Sequence, residues 1–330
     1  MFSSDTTGHR NATHTCAPFA QAHRVHHRVF RPFPPAGVSL LVAALLAATP
    51  PAAAQQRWHW NGAAPASPAT TPAQAAIAST GTGPALQLEW QAPAYLAWVT
   101  NPLAGPAQVR LSAPASEDYR AVPQLPLTLL LAAHERRLLA RLYPASNQRT
   151  LGGLGLKLDV VPGDPRAQPQ PQPQPVRYQL PFRDAPVQVD QGFGGQFSHA
   201  DLPNWYAVDF ALPEGTPVLA AREGLVMEIR QDVADSSADD PGAGGGNLVR
   251  VLHADGSMAL YAHLAPHGVA VRAGQRVGTG ERLGASGNTG YSTAAHLHFS
   301  VQRNADLQLV SVPFRMLGPQ GELRFPSPAP

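Results

Sequence analysis

The chain has 330 residues, of which 44% are hydrophobic and 14% charged, and it contains 35 prolines and 29 glycines. This length supports one or two domains with linkers, and the high proline content argues against a helical bundle and favours short strands joined by turns. The formal net charge of +2 is weakly basic, but residues 55–330 are close to neutral, so neither a strongly basic surface nor a nucleic-acid partner is expected.

The positive excess and the one cysteine both lie in the first 54 residues. Residues 1–54 contain four arginines, five histidines, one acidic residue and Cys16. Residues 55–330 contain 20 basic groups, 21 acidic groups and no cysteine. Disulfides and cysteine metal sites are therefore excluded from this larger part.

The first 54 residues have the pattern of an export signal. A basic stretch precedes the apolar run 37–48 (GVSLLVAALLAA), and the small residues 52–54 follow it. The run is shorter than the ~20 residues that a membrane-spanning helix needs. We predict a signal peptide over 1–54 and a periplasmic or secreted mature protein with no stable transmembrane span; a retained N-terminal membrane anchor is the alternative.

Composition divides the rest of the chain into five segments. They are a low-complexity linker (55–84), a small β-module (85–164), a Gln-Pro linker (165–176), a second domain (177–318) and a C-terminal tail (319–330). The Gln-Pro dipeptides at 168–175 predict an extended spacer of ~25 Å, at ~3.1 Å per residue, that separates the β-module from the second domain.

Alternating polar and apolar residues predict short strands in the β-module. The predicted strands, 86–90, 95–99, 107–111, 127–132 and 154–160, are typical of an immunoglobulin-like β-sandwich. Residues 138–142 (LLARL) leave a helical turn open as an alternative. No chemistry is evident in this module, and its position favours a role in binding a partner.

The second domain is also predicted to be all-β. The predicted strands are 206–212, 218–221, 225–230, 248–253, 258–264, 269–272 and 296–302. The insertion 231–247, which is acidic and then glycine-rich, lacks the spacing of a calcium or phosphate loop and predicts a solvated, mobile loop.

Histidines and one aspartate form the chemical pattern of this domain. His296 and His298 are two residues apart on a predicted strand, so both imidazoles face the same side. Asp209 lies within an apolar strand, where a carboxylate is costly unless it is paired or binds a cation. His199 follows a glycine-rich run, and His263 lies among apolar residues. Two imidazoles and one carboxylate would form an open catalytic zinc site, and two imidazoles would remain for proton transfer.

The runs QGFGGQFSH, YAVDFALPEGTPVLAA, VRVLHADGSMALYAHL and SGNTGYSTAAHLHF resemble the lysostaphin-type zinc metallopeptidases, which cut peptide cross-links in bacterial cell walls. The resemblance extends over roughly residues 178–303. It implies an antiparallel β-sheet core with the metal in a groove walled by loops. One departure is Ala294-Ala295, where this family often has Gly-Pro.

Carried over by position, the resemblance implies that His199, Asp209 and His298 bind Zn²⁺ and that His263 and His296 are the catalytic histidines. The side chains expected to line the groove are those of Asn204, Ser286, Asn288, Tyr291 and Ser292. The implied function is a zinc endopeptidase that acts on peptidoglycan stem peptides.

Two other functions fit parts of the pattern. One is a non-catalytic cell-wall-binding protein or amidase activator on the same fold, although all the expected metal and catalytic residues are present. The other is a lipoyl- or biotinyl-type carrier, indicated by residues 271–280. A carrier needs a lysine at a hairpin tip, and the one lysine, Lys157, lies in the β-module.

Overall fold

The computed structural model describes residues 75–77, 83–145, 155–167, 176–195 and 197–325. The predicted signal peptide 1–54, most of the linker 55–84 and the Gln-Pro run 168–175 lie outside this range. Within it, the regular structure consists of strands and one short 3-10 helix, Pro241–Ala243, which confirms the all-β fold class. Among the described residues, no helix has the length and apolar character needed to cross a membrane.

Two antiparallel sheets form the N-terminal region. One has the strand order β1-β2-β3-β7-β5 and the other β6-β4-β8. The strands are β1 (Ala75–Ile77), β2 (Ala85–Gln91), β3 (Ala94–Thr100), β4 (Ala107–Ser112), β5 (Tyr119–Val122), β6 (Leu127–Leu131), β7 (Arg136–Pro144) and β8 (Lys157–Pro162). Apolar side chains from both sheets, such as Leu86, Val99 and Val109, form one core. The helical alternative at 138–142 is wrong, because these residues pair with β3 as part of β7.

An eight-stranded antiparallel sheet dominates the C-terminal region, with the order β10-β11-β18-β15-β14-β13-β16 and β19 paired to β18. Two small sheets, β12-β17 and β21-β20-β9, accompany it. The strands are β9 (Arg177–Gln179), β10 (Val189–Gln191), β11 (Ala207–Ala211), β12 (Pro217–Leu219), β13 (Gly224–Arg230), β14 (Asn247–Leu252), β15 (Met258–Leu264), β16 (Arg276–Val277), β17 (Arg282–Ala285), β18 (His296–Asn304), β19 (Leu309–Ser311), β20 (Arg315–Gly318) and β21 (Gly321–Leu323). β21 lies within the predicted tail 319–330.

The strand predicted at 269–272 is wrong. The segment lies between two turns and makes isolated backbone hydrogen bonds, such as that from Ala270 N to Leu283 O at 2.8 Å. It does not form the continuous series of hydrogen bonds of a strand. The strand that pairs with β13 in this part of the chain is β16, which follows the turn at Gly274 (φ +83°).

The two faces of the large sheet differ in chemistry. One face carries the core, in which Val208, Phe210, Tyr261 and Phe299 are fully buried. The register places Asp209 opposite His298, and Met258 opposite Gln302, on the other face. Alternation along each strand therefore separates the apolar core from the polar face on which the predicted site lies.

The N-terminal region contacts the second face of this sheet, although the sequence predicts a spacer that separates the two. Leu103 and Ala107 pack with Met227 and Met258 in one apolar cluster. Around it, the side chain of Gln108 donates to Asp306 Oδ1 and accepts from the backbone N–H of Leu307, both at 2.8 Å. The two regions are thus in contact, and the contact buries Met227 and Met258. The extended spacer predicted at 168–175 lies outside the described residues and stays a prediction.

A buried histidine lies at the hairpin that follows β14. His253 is 3% exposed; its Nδ1 lies 2.8 Å from the backbone oxygen of Glu223, and its Nε2 is buried without a hydrogen-bond partner. Burial, assisted by the charge of Arg222, lowers the pKa of His253 to about 4. Folding therefore keeps this imidazole neutral at pH values at which an unfolded chain would protonate it.

This histidine should destabilise the protein in mild acid. Between its ordinary pKa of 6.5 and its folded pKa of about 4, the unfolded chain binds a proton that the folded chain does not, so stability falls as the pH decreases through this window. The full loss in the free energy of unfolding that this histidine causes is about 3 kcal/mol. In denaturant titrations of metal-free protein between pH 7 and pH 4, we expect His253→Asn to remove this contribution, while the similar contribution of the buried His263 remains. The exposed His267→Asn is the control, and a wild-type acid dependence in His253→Asn would contradict the prediction.

Candidate metal centre and active site

Strand pairing brings Asp209 and His298 together. Asp209 on β11 and His298 on β18 are register partners, and His298 Nδ1 lies 2.9 Å from Asp209 Oδ1. Both side chains are buried, with 7% and 6% exposure. Their juxtaposition follows from the backbone register and does not depend on a loop.

A loop supplies the third group. His199 is fully buried in the segment between β10 and β11, and its Nδ1 lies 2.8 Å from the backbone oxygen of Gly192. A carbonyl oxygen can only accept, so Nδ1 carries a proton and donates it to this oxygen. Nε2 approaches Asp209 Oδ2 to 3.2 Å but has no partner with hydrogen-bond geometry. A buried ring nitrogen without a hydrogen-bond partner is costly unless a cation occupies the space before it.

Asp209 is ionised at the centre of this group. Burial alone would raise its pKa, but the adjacent imidazoles of His199 and His298 hold the pKa well below its usual range. A carboxylate with two imidazoles is the donor set of an open zinc site. One ligand atom from each of the three residues lies within 4.8 Å of the others, so together they fit a single ion.

His263 reaches the site through a β-bulge. Period-two alternation would place it on the core face with Tyr261, but the register of β14 and β15 shifts between Asn247 and Leu248. At this bulge His263 has φ +60°, a left-handed conformation unusual for a residue other than glycine. The bulge turns its imidazole to the face of His298, with ring centroids 5.9 Å apart.

Backbone carbonyls orient both remaining imidazoles. His263 Nδ1 lies 2.7 Å from Thr289 O, and His296 Nδ1 lies 2.8 Å from Ala294 O. Both rings therefore carry the proton on Nδ1 and have a free lone pair on Nε2. Their ring centroids are 4.5 Å apart, and His296 Nε2 is 3.8 Å from Asp209 Oδ1. Burial, followed by the neighbouring histidines, lowers the pKa of His263 to about 3.

Loops enclose a groove over these residues. A cavity of about 410 Å³ is lined by His263, His298 and parts of three loops, and a second of about 190 Å³ is lined by Asp209, His296 and parts of two loops. The insertion 231–247, expected to be a solvated loop, contributes Pro241, Gly244 and Gly245 to the wall of the larger cavity.

Three of the five predicted groove residues line the two cavities, and the other two do not. Asn204 and Tyr291 line the larger cavity, while Tyr291 and Ser292 line the smaller one. Ser292 Oγ also lies 3.2 Å from His296 Nδ1. Ser286 and Asn288 are not among the lining residues of either cavity, and Ser286 Oγ instead donates to Pro213 O at 2.6 Å.

Gln191 is a site residue that sequence reasoning missed. Its Nε2 donates to Asp209 Oδ2 at 2.9 Å and to Ser198 Oγ at 2.7 Å, and its Oε1 accepts from the N–H of Phe197 at 3.1 Å. One amide thus joins the central carboxylate to the loop that carries His199. The signal in the sequence is weak, because a glutamine at the end of a short strand indicates nothing until its pairing with Asp209 is known.

Comparison with known proteins agrees with this geometry. The sequence pattern of Peptidase family M23 matches residues 203–309. Glycyl-glycine endopeptidase ALE-1 of Staphylococcus capitis is 41% identical over 103 residues, which are 31% of this chain and 25% of that protein. Peptidoglycan DD-endopeptidase ShyA of Vibrio cholerae is 40% identical over 93 residues, which are 28% of this chain and 19% of that protein.

Residues 203–309 of the chain form a peptidase family M23 domain. This confirms the resemblance seen in the sequence. The matched segment contains Asp209, His263, His296 and His298, whereas His199 precedes it, so the placement of His199 beside them comes from the structure. The chain spans only about a quarter or less of the length of these curated relatives.

A solved M23 structure is also similar in sequence. The catalytic domain of lysostaphin from Staphylococcus simulans is 31% identical, and the match covers 35% of this chain and 79% of that domain, with a TM-score of 0.26.

Removing the Gln191 amide should weaken metal binding. Gln191→Met keeps most of the side-chain volume but removes the donor to Asp209, and loss of such a supporting bond typically lowers metal affinity about 10- to 100-fold. Competition with a chromogenic zinc chelator measures the affinity. Gln188→Met, which removes an exposed glutamine bonded to Asp190, is the matched control. Equal affinities for the two variants, both folded by circular dichroism, would refute a supporting role for Gln191.

At position 263, the bulge should reverse the usual order of stability of alanine and glycine in a strand. Glycine in a strand is normally less stable than alanine by about 0.5–1 kcal/mol, but in the left-handed region alanine is the less stable residue by about 1–2 kcal/mol. We expect metal-free His263→Gly to be more stable than His263→Ala by about 1 kcal/mol in urea unfolding. At the adjacent Ala262, replacement by glycine should lower stability. A less stable His263→Gly would show that the left-handed conformation carries no strain.

Proposed function

We propose that residues 177–318 form an exported zinc-dependent endopeptidase that cleaves peptide cross-links of bacterial peptidoglycan. The observation that carries this proposal is the convergence of His199, Asp209 and His298 beside two further imidazoles in one groove. The names of ALE-1 and ShyA, a glycyl-glycine endopeptidase and a peptidoglycan DD-endopeptidase, support a cell-wall substrate.

His199, Asp209 and His298 would hold the zinc ion. The buried Nε2 of His199, which has no donor, and the ionised carboxylate of Asp209 fit a divalent cation. Zinc supplies Lewis acidity, which activates water and polarises a carbonyl group.

His263 and His296 are the proposed catalytic residues. Their Nδ1 protons are committed to backbone carbonyls, so each ring directs a free Nε2 toward the groove. One Nε2 can take the proton of the attacking water and pass it to the leaving amine, and a protonated Nε2 can stabilise the oxyanion of the tetrahedral intermediate. The 4.5 Å separation of the two rings allows both to act on one peptide bond.

The groove is the proposed binding site for the stem peptides. Asn204, Tyr291 and Ser292 line its cavities and would contact the peptide on either side of the cleaved bond. Ser286 lies outside these cavities, and its Oγ donates to Pro213 O instead.

The remaining proposals concern location and the N-terminal region. The basic, then apolar pattern of residues 1–54 supports a signal peptide and a periplasmic or secreted enzyme. The two packed sheets of residues 85–164 support an immunoglobulin-like module, which we propose binds the wall or a protein partner.

Variants at the two classes of histidine should separate metal binding from catalysis. We expect His298→Ala to lose zinc, and with it activity, because a ligand is missing. His296→Ala should retain zinc and lose about 10²–10⁴ in rate, because a proton-transfer group is missing. Elemental analysis gives the zinc content, and mass spectrometry of fragments released from purified wall gives the rate and the bond cleaved.

The exposed His267→Ala serves as the control for both measurements. Undiminished wall digestion by zinc-free His298→Ala protein would refute the proposed function, as would absence of wall fragments with the zinc-loaded wild type.

A further inference from the structure

Two aromatic rings from opposite loops stack over the groove. Phe197, in the loop between β10 and β11, and Tyr291, in the loop between β17 and β18, have ring centroids 5.3 Å apart and an interplanar angle of 11°. Phe197 is 56% exposed, so the stack lies at the surface instead of in the core. Nothing in the zinc chemistry requires these rings.

The stack divides the open space above the site. Phe197 and Tyr291 both line the larger cavity, which contains His263 and His298, and both also line the smaller cavity, which contains His296. A peptide that extends from one cavity to the other past the metal ligands therefore has to pass this pair.

Tyr291 is the fixed half of the pair. Its backbone N–H donates to Gly244 O at 2.7 Å, and the preceding Gly290 donates to Asp235 O at 2.9 Å, so the insertion 231–247 anchors this loop. A Cβ on Gly290 would lie 2.2 Å from the backbone nitrogen of Gly246, so only glycine permits this close approach. The ring of Phe197 is more than half exposed and makes its aromatic contact with Tyr291, so it has open space into which it can rotate.

We propose that Phe197 and Tyr291 form an aromatic clasp that must open before a cross-linked wall strand can enter the groove. The inference rests on the proposed function. A cross-link in intact wall is attached to glycan at both ends, so it has no free end to thread beneath a closed clasp and has to enter from above. A short peptide with free ends can thread beneath the stack. The clasp therefore distinguishes a cross-link attached to glycan at both ends from a peptide with free ends, even where the cleaved bond is the same.

The expected effect is modest and measurable. An aromatic pair of this kind favours the stacked arrangement about 2- to 10-fold. Removing the stack should increase access of a cross-link attached at both ends by that factor, relative to access of a short peptide with free ends.

Two substrates with the same cross-link test the proposal. One is intact sacculi, and the other is the soluble cross-linked muropeptide dimer released from the same sacculi by digestion of the glycan strands. We expect the ratio of initial rates, sacculi to dimer, to rise about 2- to 10-fold in zinc-loaded full-length Phe197→Ala. Using the ratio cancels any general change in catalysis or metal content.

Two further variants make the result specific. Phe197→Tyr keeps the stack and should restore the wild-type ratio. Leu202→Ala removes another exposed hydrophobic residue, 54% exposed, from the same loop without touching the stack, and should also leave the ratio unchanged. An unchanged or lower ratio in Phe197→Ala would overturn the clasp while leaving the endopeptidase intact. Failure of the wild type to cleave either substrate would overturn the endopeptidase function and the clasp together.

Discussion

The antiparallel register of β11 and β18 sets Asp209 opposite His298 and so unites two groups that are 89 residues apart in the chain. A slip by one residue would turn Asp209 into the core that Val208 and Phe210 now fill. A carboxylate there would have no partner and a high desolvation cost. The apolar face of the sheet therefore fixes the geometry of the polar face, because the core tolerates only one register.

Backbone carbonyls orient three of the four imidazoles at the site. His199, His263 and His296 each direct Nδ1 to a backbone oxygen, from Gly192, Thr289 and Ala294 respectively. Since a carbonyl oxygen only accepts, the tautomer of each ring is set by the fold, and three Nε2 atoms face the centre of the site. His298 differs, because its Nδ1 faces Asp209. The site is thus organised around a carboxylate, and main-chain carbonyl groups that accept hydrogen bonds orient three of the imidazoles around it.

The sequence predicts the parts of the site that follow local periodicity. His296 and His298 share a face because they alternate along a strand, and an aspartate within an apolar strand indicates a partner or an ion. His263 is different: alternation places it in the core, and a bulge in its pairing with β14 brings it to the site. Gln191 could not be assigned a role either, because its contact with Asp209 is created by pairing of two strands separated by the His199 loop. Long-range register and bulges have no local signature.

The polar face of the sheet serves two purposes. Near one end of β18 lie His296 and His298, while toward its other end Met258, opposite Gln302, is covered by Leu103 and Ala107 of the N-terminal region. A spacer lets two modules move independently only if those modules bury nothing against each other. Here the apolar contact and the bonds of Gln108 hold the N-terminal region against the strands that carry the site. A partner bound by that region would therefore be placed at a defined position relative to the groove.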